Sequence, residues 1–334
     1  MAEARPRVWV SQPLFDDIVE RLGEWFDVDA TREVTAWSPA QVAAKLRDAD
    51  GAVVTLNERI GADEIAGARG LRAIANVGVG YNNLDIPALA ARGIIASNTP
   101  DVLTQTTADM AFALLMAAAR RVGEGERWLR AGQWTQWSFD TLLGVDVHGS
   151  TLGILGMGRI GQGIARRGAL GFDMRVLYHN RSRLPFGIER NCRARYVDFD
   201  TLLRESDHLV LVVPYSPDTH HVIDSAALAK MKPTATLTNI ARGGLVDEPA
   251  LADALAHGRL ASAALDVFEG EPVVNPKLLA LRNVVLTPHV GSASLATRRA
   301  MATLAIDNLV AALGRGPHAG HPPTPIAGGT TAKR

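Results

Sequence analysis

The run TLGILGMGRIG at residues 151–161 constrains the fold more than any other part of the chain. It reads as a short apolar strand, then three glycines at Gly156, Gly158 and Gly161, then a helical pattern over 162–170. A strand that turns through G-x-G-x-x-G into a helix is the context of a dinucleotide site, where phosphates meet free N–H groups at a helix N-terminus. Gly156 permits the tight turn, Gly158 lets backbone approach the pyrophosphate, and Gly161 lets helix pack on strand. Met157, Arg159 and Ile160 lie within the same turn and are assigned to the cofactor site with it.

The next apolar run, 174–178, ends in His179-Asn180-Arg181-Ser182-Arg183. An acidic residue at this strand end would accept hydrogen bonds from the adenosine ribose and select NAD. It is missing, and with it the repulsion against a ribose 2′-phosphate. Asn180, Arg181, Ser182 and Arg183 are therefore assigned to the cofactor, with the arginines giving charge-assisted hydrogen bonds to that phosphate. NADP(H) is the expected preference and NAD(H) the alternative, the competing reading being a solvated basic loop.

Strand-like and helix-like runs alternate almost throughout, which points to parallel sheets with crossover helices. Strands are expected at 7–10, 51–54, 73–77 and 93–97, with a helix at 14–22. After the break at Asn98-Thr99-Pro100 a long Ala/Leu/Met helix covers 104–120. Beyond the 151 strand, further strands at 174–178, 209–213, 236–239, 263–267 and 284–286 build a second, larger sheet, and a last helix covers 295–313. The expected fold class is α/β, with two doubly wound parallel-sheet, Rossmann-like domains and a cleft between them. Residues 1–100 plus 290–315 form the expected substrate-binding (catalytic) domain and 101–289 the dinucleotide-binding domain, leaving 316–334 as a Gly/Pro/Thr-rich, disordered tail.

With 334 residues the chain is long enough for two domains. Lys+Arg and Asp+Glu both number 35, so no global field recruits nucleic acid or an anionic membrane. The single cysteine, Cys192, excludes an intramolecular disulfide and a Cys-rich zinc site. The N-terminus lacks an apolar signal region, and a cytoplasmic location is expected. His220-His221 falls in a polar turn after Pro214 with no third ligand in view, so no metal site is expected.

In open α/β sheets ligands bind beyond the carboxyl ends of the strands. Asn239-Ile240-Ala241-Arg242-Gly243-Gly244 lies at one such end, where a guanidinium suits a planar carboxylate. Asp266-Val267-Phe268-Glu269-Gly270-Glu271-Pro272 and Thr287-Pro288-His289-Val290-Gly291-Ser292 lie at two more. A histidine with a nearby glutamate runs acid–base chemistry near neutrality, because the carboxylate stabilises the imidazolium and fixes its tautomer. Val77-Gly78-Val79-Gly80-Tyr81 is a second Gly-rich turn whose N–H groups suit a small carboxylate, or else a simple tight turn.

Across residues 5–315 the chain resembles the D-isomer-specific 2-hydroxyacid dehydrogenases, on GMGRIGQ, NIARGGLVDE, ALDVFEGEP and TPHVGS in that order. Within that family it is most similar to glyoxylate/hydroxypyruvate reductases, and the VGVGYNNLD turn and the Arg-bearing strand end resemble their NADP-using members. The resemblance implies that Arg242 binds the substrate carboxylate and polarises the keto oxygen, that His289 is the acid/base, and that Glu271 is its partner. It assigns Val79 and Gly80 to the substrate carboxylate and Asp266 to the nicotinamide carboxamide. Pro214, Thr219, Ile240, Ala241 and Gly291 line the cofactor in the same scheme. It further implies a homodimer embraced by the 104–120 helix and the connector after it, with Trp137 reaching the neighbouring subunit's substrate pocket. The implied reaction is reduction of a small 2-oxo acid to the D-2-hydroxy acid. The rivals are a 2-ketogluconate reductase, a phosphoglycerate-type dehydrogenase and a non-enzymatic, corepressor-like nucleotide sensor.

Overall fold

The computed structural model describes residues 5–327. The chain divides into two compact units, one holding the residues through Leu103 together with those from Ser294 onward, the other Thr104–Ala293.

The first unit is built on five parallel strands, β1 (Arg7–Val10), β2 (Asp27–Ala30), β3 (Gly51–Val54), β4 (Ala73–Asn76) and β5 (Ile95–Ser97), in the order β2-β1-β3-β4-β5. β3 and β4 are wholly buried, which is why GAVV and AIAN carry almost no polar residues. The helix Leu295–Ala312 packs Ile306 and Leu309 against Val8, Val10 and Val53. A Cβ on Gly51 would stand 2.9 Å from the Leu313 side chain, so the glycine in β3 admits the end of that helix.

The second unit carries seven parallel strands: β6 (Thr151–Leu155), β7 (Arg175–His179), β8 (Ala194–Tyr196), β9 (His208–Leu211), β10 (Thr236–Asn239), β11 (Ser262–Leu265) and β12 (Val284–Leu286). Their order is β12-β11-β10-β9-β6-β7-β8, so the winding reverses between β6 and β9. That reversal is where a doubly wound sheet opens a crevice for ligand. The helix Thr104–Ala119 covers one face, placing Ala108, Ala111, Leu115 and Ala118 in one core with Leu152 and Ile154 of β6.

Two strands escape a periodicity reading. β2 is the edge strand DVDA, whose alternating carboxylates leave it partly exposed. β8, at the other sheet's edge, is three residues long. The tail expected to be disordered from 316 is ordered as far as it is described. Ile326 N–H donates to Ala96 O at 2.8 Å and Thr324 Oγ1 donates to Asn98 O at 2.6 Å. Pro325 pairs antiparallel with Ser97, so the prolines hold an extended strap that finishes the free edge of β5. The remainder of that segment, 328–334, lies outside the described residues. Among the described residues no helix is long and apolar enough to cross a membrane.

Candidate active site

β6 runs into the glycine turn at the point where the sheet reverses. Gly156 has φ +104°, and a Cβ there would sit 2.7 Å from the backbone of Val212 and Val213, just beyond β9. A Cβ on Gly161 would be 2.3 Å from Gly156 O, so this glycine allows the helix Arg159–Gly171 to start against the turn. Gly158 is the N-cap, without a side-chain cap, and a Cβ on it would face open space. An uncapped start to a 13-residue helix with empty space before it fits the pyrophosphate of a dinucleotide.

The basic strand end is divided in its commitments. Asn180 Oδ1 accepts from Met157 N–H at 2.7 Å and so holds the glycine turn. Arg183 is corrected from a phosphate clamp to a structural partner. Its guanidinium makes a two-pronged pair with the buried Glu189 at 2.9 and 2.8 Å, and Glu189 also accepts from Tyr178 Oη at 2.8 Å. The Arg183 hydrogen bonds hold the Glu189 carboxyl below the usual range. Arg181 and Ser182 are exposed, which leaves Arg181 as the cation available to a ligand here. No signal in the local sequence separates the two arginines, since Glu189 lies in the following helix, Phe186–Cys192.

The chemistry-bearing residues converge from β10, β11 and β12. Asn239 closes the turn after β10, its Nδ2 donating to Arg242 O at 2.8 Å and its Oδ1 accepting from Ala241 N–H at 3.1 Å. Gly243 then passes so near the chain beyond β11 that a Cβ would stand 1.8 Å from the Phe268 carbonyl carbon. This approach brings Arg242 and Glu271 within charge range of each other. Asp266 is buried at the end of β11, and it organises the loop after β12. Its Oδ1 accepts from Thr287 Oγ1 at 2.6 Å and Val290 N–H at 2.8 Å, its Oδ2 from Gly291 N–H at 2.7 Å, and its carbonyl from His289 N–H at 2.8 Å. His289 is held at φ +52°, a region few non-glycine residues occupy, and its Nδ1 lies 2.8 Å from Glu271 Oε1.

Burial raises the Glu271 carboxyl, but the hydrogen bond and charge of His289, aided by Phe268 N–H and Arg242, outweigh it and hold the group below its ordinary value. Burial pushes the Arg242 guanidinium down and the Glu271 charge opposes that. The result is a cation, an anion and an imidazole assembled at adjacent strand ends. The remaining cofactor candidates lie in the same unit. Thr219 Oγ1 donates to Pro214 O at 3.0 Å, Ile240 is buried and Ala241 is half-buried.

In the first unit, the loop after β4 has its carbonyls tied back. Gly78 O accepts from Thr99 N–H at 2.9 Å, Val79 O from Asn98 Nδ2 at 2.8 Å and Gly80 O from Asn76 Nδ2 at 3.0 Å. The loop's carbonyls are thus occupied by the protein, which frees the N–H side of Val79 and Gly80 for an anion. Trp137 is 74% exposed, edge-on to Phe139, and is not gathered with the other site residues of its unit.

Comparison with known proteins agrees with this architecture. The sequence pattern of the D-isomer specific 2-hydroxyacid dehydrogenase NAD-binding domain matches residues 112–291. A glyoxylate reductase of Thermococcus onnurineus is 45% identical over 92% of this chain and 92% of its own length. One of Aeropyrum pernix is 44% identical over the same shares. The crystal structure of an NADPH-dependent glyoxylate/hydroxypyruvate reductase from Sinorhizobium meliloti, in complex with NADP and malonate, superposes with a TM-score of 0.85. It is 37% identical and 97% of each chain is covered.

Proposed function

The chain belongs to the D-isomer-specific 2-hydroxyacid dehydrogenase family, and we propose that it reduces glyoxylate and hydroxypyruvate to their 2-hydroxy acids with NADPH as preferred cofactor. The observation that carries the reading is the 2.8 Å contact between His289 and Glu271 with Arg242 in charge range. The names of the relatives support the substrate class.

Bound reduced nicotinamide supplies the hydride that reaches the keto carbon. Every other requirement falls to the chain's own residues. Arg242 binds the carboxylate and polarises the keto oxygen through charge-assisted hydrogen bonds. With Nδ1–H donated to Glu271, His289 presents Nε2–H and delivers its proton to that oxygen as negative charge develops. Glu271 keeps the imidazolium charged and fixes its orientation. The N–H groups of Val79 and Gly80 suit the substrate carboxylate.

Gly156, Met157, Gly158, Arg159, Ile160 and Gly161 hold the pyrophosphate, and Arg181 carries the selectivity for a 2′-phosphate. Pro214, Thr219, Ile240, Ala241, Asp266 and Gly291 flank the nicotinamide end, where Asp266 Oδ2, with one N–H donor, retains a lone pair for the carboxamide. The seven-stranded unit is the dinucleotide-binding domain and the five-stranded unit the substrate-binding one. We assign a homodimeric state to the apolar surface that Leu129, Trp134, Trp137, Phe139 and Leu143 leave exposed.

The test follows nicotinamide absorbance, crossing NADPH and NADH against glyoxylate, hydroxypyruvate, pyruvate and 2-ketogluconate. Fast oxidation of NADPH by the first two substrates is the expected result. Turnover confined to 2-ketogluconate, or none with cofactor bound, overturns it.

A further inference from the structure

Consecutive side chains of an extended chain point to opposite faces. His220 and His221 do not: their rings stack with centroids 3.8 Å apart and planes 25° apart. The cause is local. His221 is left-handed at φ +49°, and its N–H donates to Gly244 O at 2.8 Å, which anchors the bend to the Arg242 turn. The fold then supplies a partner 48 residues away, placing His221 Nε2 2.9 Å from Glu269 Oε2. One ligand atom from each of His220, His221 and Glu269 lies within 4.8 Å of the others.

We propose that His220, His221 and Glu269 form a binding site for a borderline divalent transition cation, Zn²⁺ being the representative. Two imidazoles and one carboxylate are the donor set that selects such ions over Mg²⁺ or Ca²⁺, which prefer oxygen-rich sites. Stacked rings disfavour protonation of both, so lone pairs are available near neutrality. The supporting contacts also suit a ligand set. Tyr215 Oη lies 3.2 Å from His220 Nδ1, which orients that ring and leaves Nε2 to coordinate. Glu269 N–H donates to the buried Glu248 Oε1 at 2.7 Å, which fixes the carboxylate's backbone. The side chains of His221 and Glu269 remain 31% and 41% exposed, so an ion has an entry path and water can complete a tetrahedron. An ion here joins the segment after β9 to the one bearing Glu271, two residues beyond Glu269.

The site is tested on the full-length, chelator-treated protein by calorimetric titration with Zn²⁺, with Mg²⁺ as control, and by the visible absorption of added Co²⁺. The expected result is one Zn²⁺ per chain, no Mg²⁺ uptake, and a four-coordinate Co²⁺ spectrum. Glu269→Gln, His221→Ala and His220→Ala each weaken Zn²⁺ binding at least about tenfold. The near-isosteric Glu269→Gln, with its melting curve recorded, separates lost ligation from lost folding. The double variant His318→Ala/His321→Ala retains the binding. Absence of Zn²⁺ uptake, equal uptake of Mg²⁺, or affinity unchanged in Glu269→Gln and His221→Ala overturns the proposal.

Discussion

His289 Nδ1 lies 2.8 Å from Glu271 Oε1, although the two residues are 18 positions apart and follow different strands. The pair keeps Glu271 ionised despite its burial, and the resulting anion favours the charged form of the imidazole. Glu271→Gln keeps the size of the side chain and removes that anion. The alkaline limit of 2-oxo acid reduction is expected to move to lower pH by about one unit. A pH–rate profile that superposes on the wild type contradicts the pairing.

The glycines of the Arg242 turn act through close approach. At Gly243 an added Cβ meets backbone, the Phe268 carbonyl carbon at 1.8 Å, and backbone cannot swing aside. Gly243→Ala is expected to destabilise the fold by about 1–3 kcal/mol. It also separates Arg242 from Glu271, so activity at a temperature where the variant stays folded falls as well. A denaturant midpoint and kcat equal to the wild type would show that the contact is not needed.

Arg181 and Arg183 are two residues apart and are expected to behave differently. Arg181 is exposed, whereas Arg183 is paired with Glu189. Arg181→Ala is expected to lower kcat/KM for NADPH about tenfold to a hundredfold, the worth of a charge-assisted hydrogen bond, and to leave NADH nearly unchanged. Arg183→Ala instead lowers thermal stability, because it strips a buried carboxylate of its cation. Equal losses with both cofactors at Arg181 refute the selectivity assigned to it.

His208 in β9 is fully buried, with Nδ1 2.8 Å from Thr236 Oγ1 and Nε2 3.0 Å from Asp146 O. Burial pushes its pKa down, against the Asp146 and Asp207 contributions. A base whose folded pKa is depressed contributes stability that is present above the unfolded value of about 6.5 and is lost as pH falls toward the folded one. Below pH 6.5 this group is expected to remove up to about 1.4 kcal/mol of stability per pH unit. His208→Gln, less stable at pH 7, flattens that part of the profile when urea midpoints are compared between pH 7 and 5. An identical pH slope in the variant contradicts the assignment.

Much of the second unit is legible from period and punctuation. Continuous apolar runs such as TLGIL and HLVL mark strands buried on both faces, and the glycine turn between β6 and its helix is a local event within eleven residues. The segments bearing Arg242, Glu271 and His289 are legible for the same reason, as each follows a strand directly. What is not legible depends on partners distant in sequence. Glu189 claims Arg183, and Glu269 completes the His220-His221 cluster that offers no third ligand locally. Edge strands such as DVDA bury too little to show a pattern, and the 316–327 strap is ordered by pairing with β5 rather than by its own composition.

The most direct test of the central claim compares wild type, Arg242→Ala and His289→Ala in NADPH oxidation with glyoxylate, with circular dichroism recorded on each. The account predicts rapid turnover by the wild type and losses of about 10²–10⁴-fold in both variants with unchanged folded spectra. Near-normal turnover by either variant, or a wild type that binds NADPH yet reduces no 2-oxo acid, would contradict it.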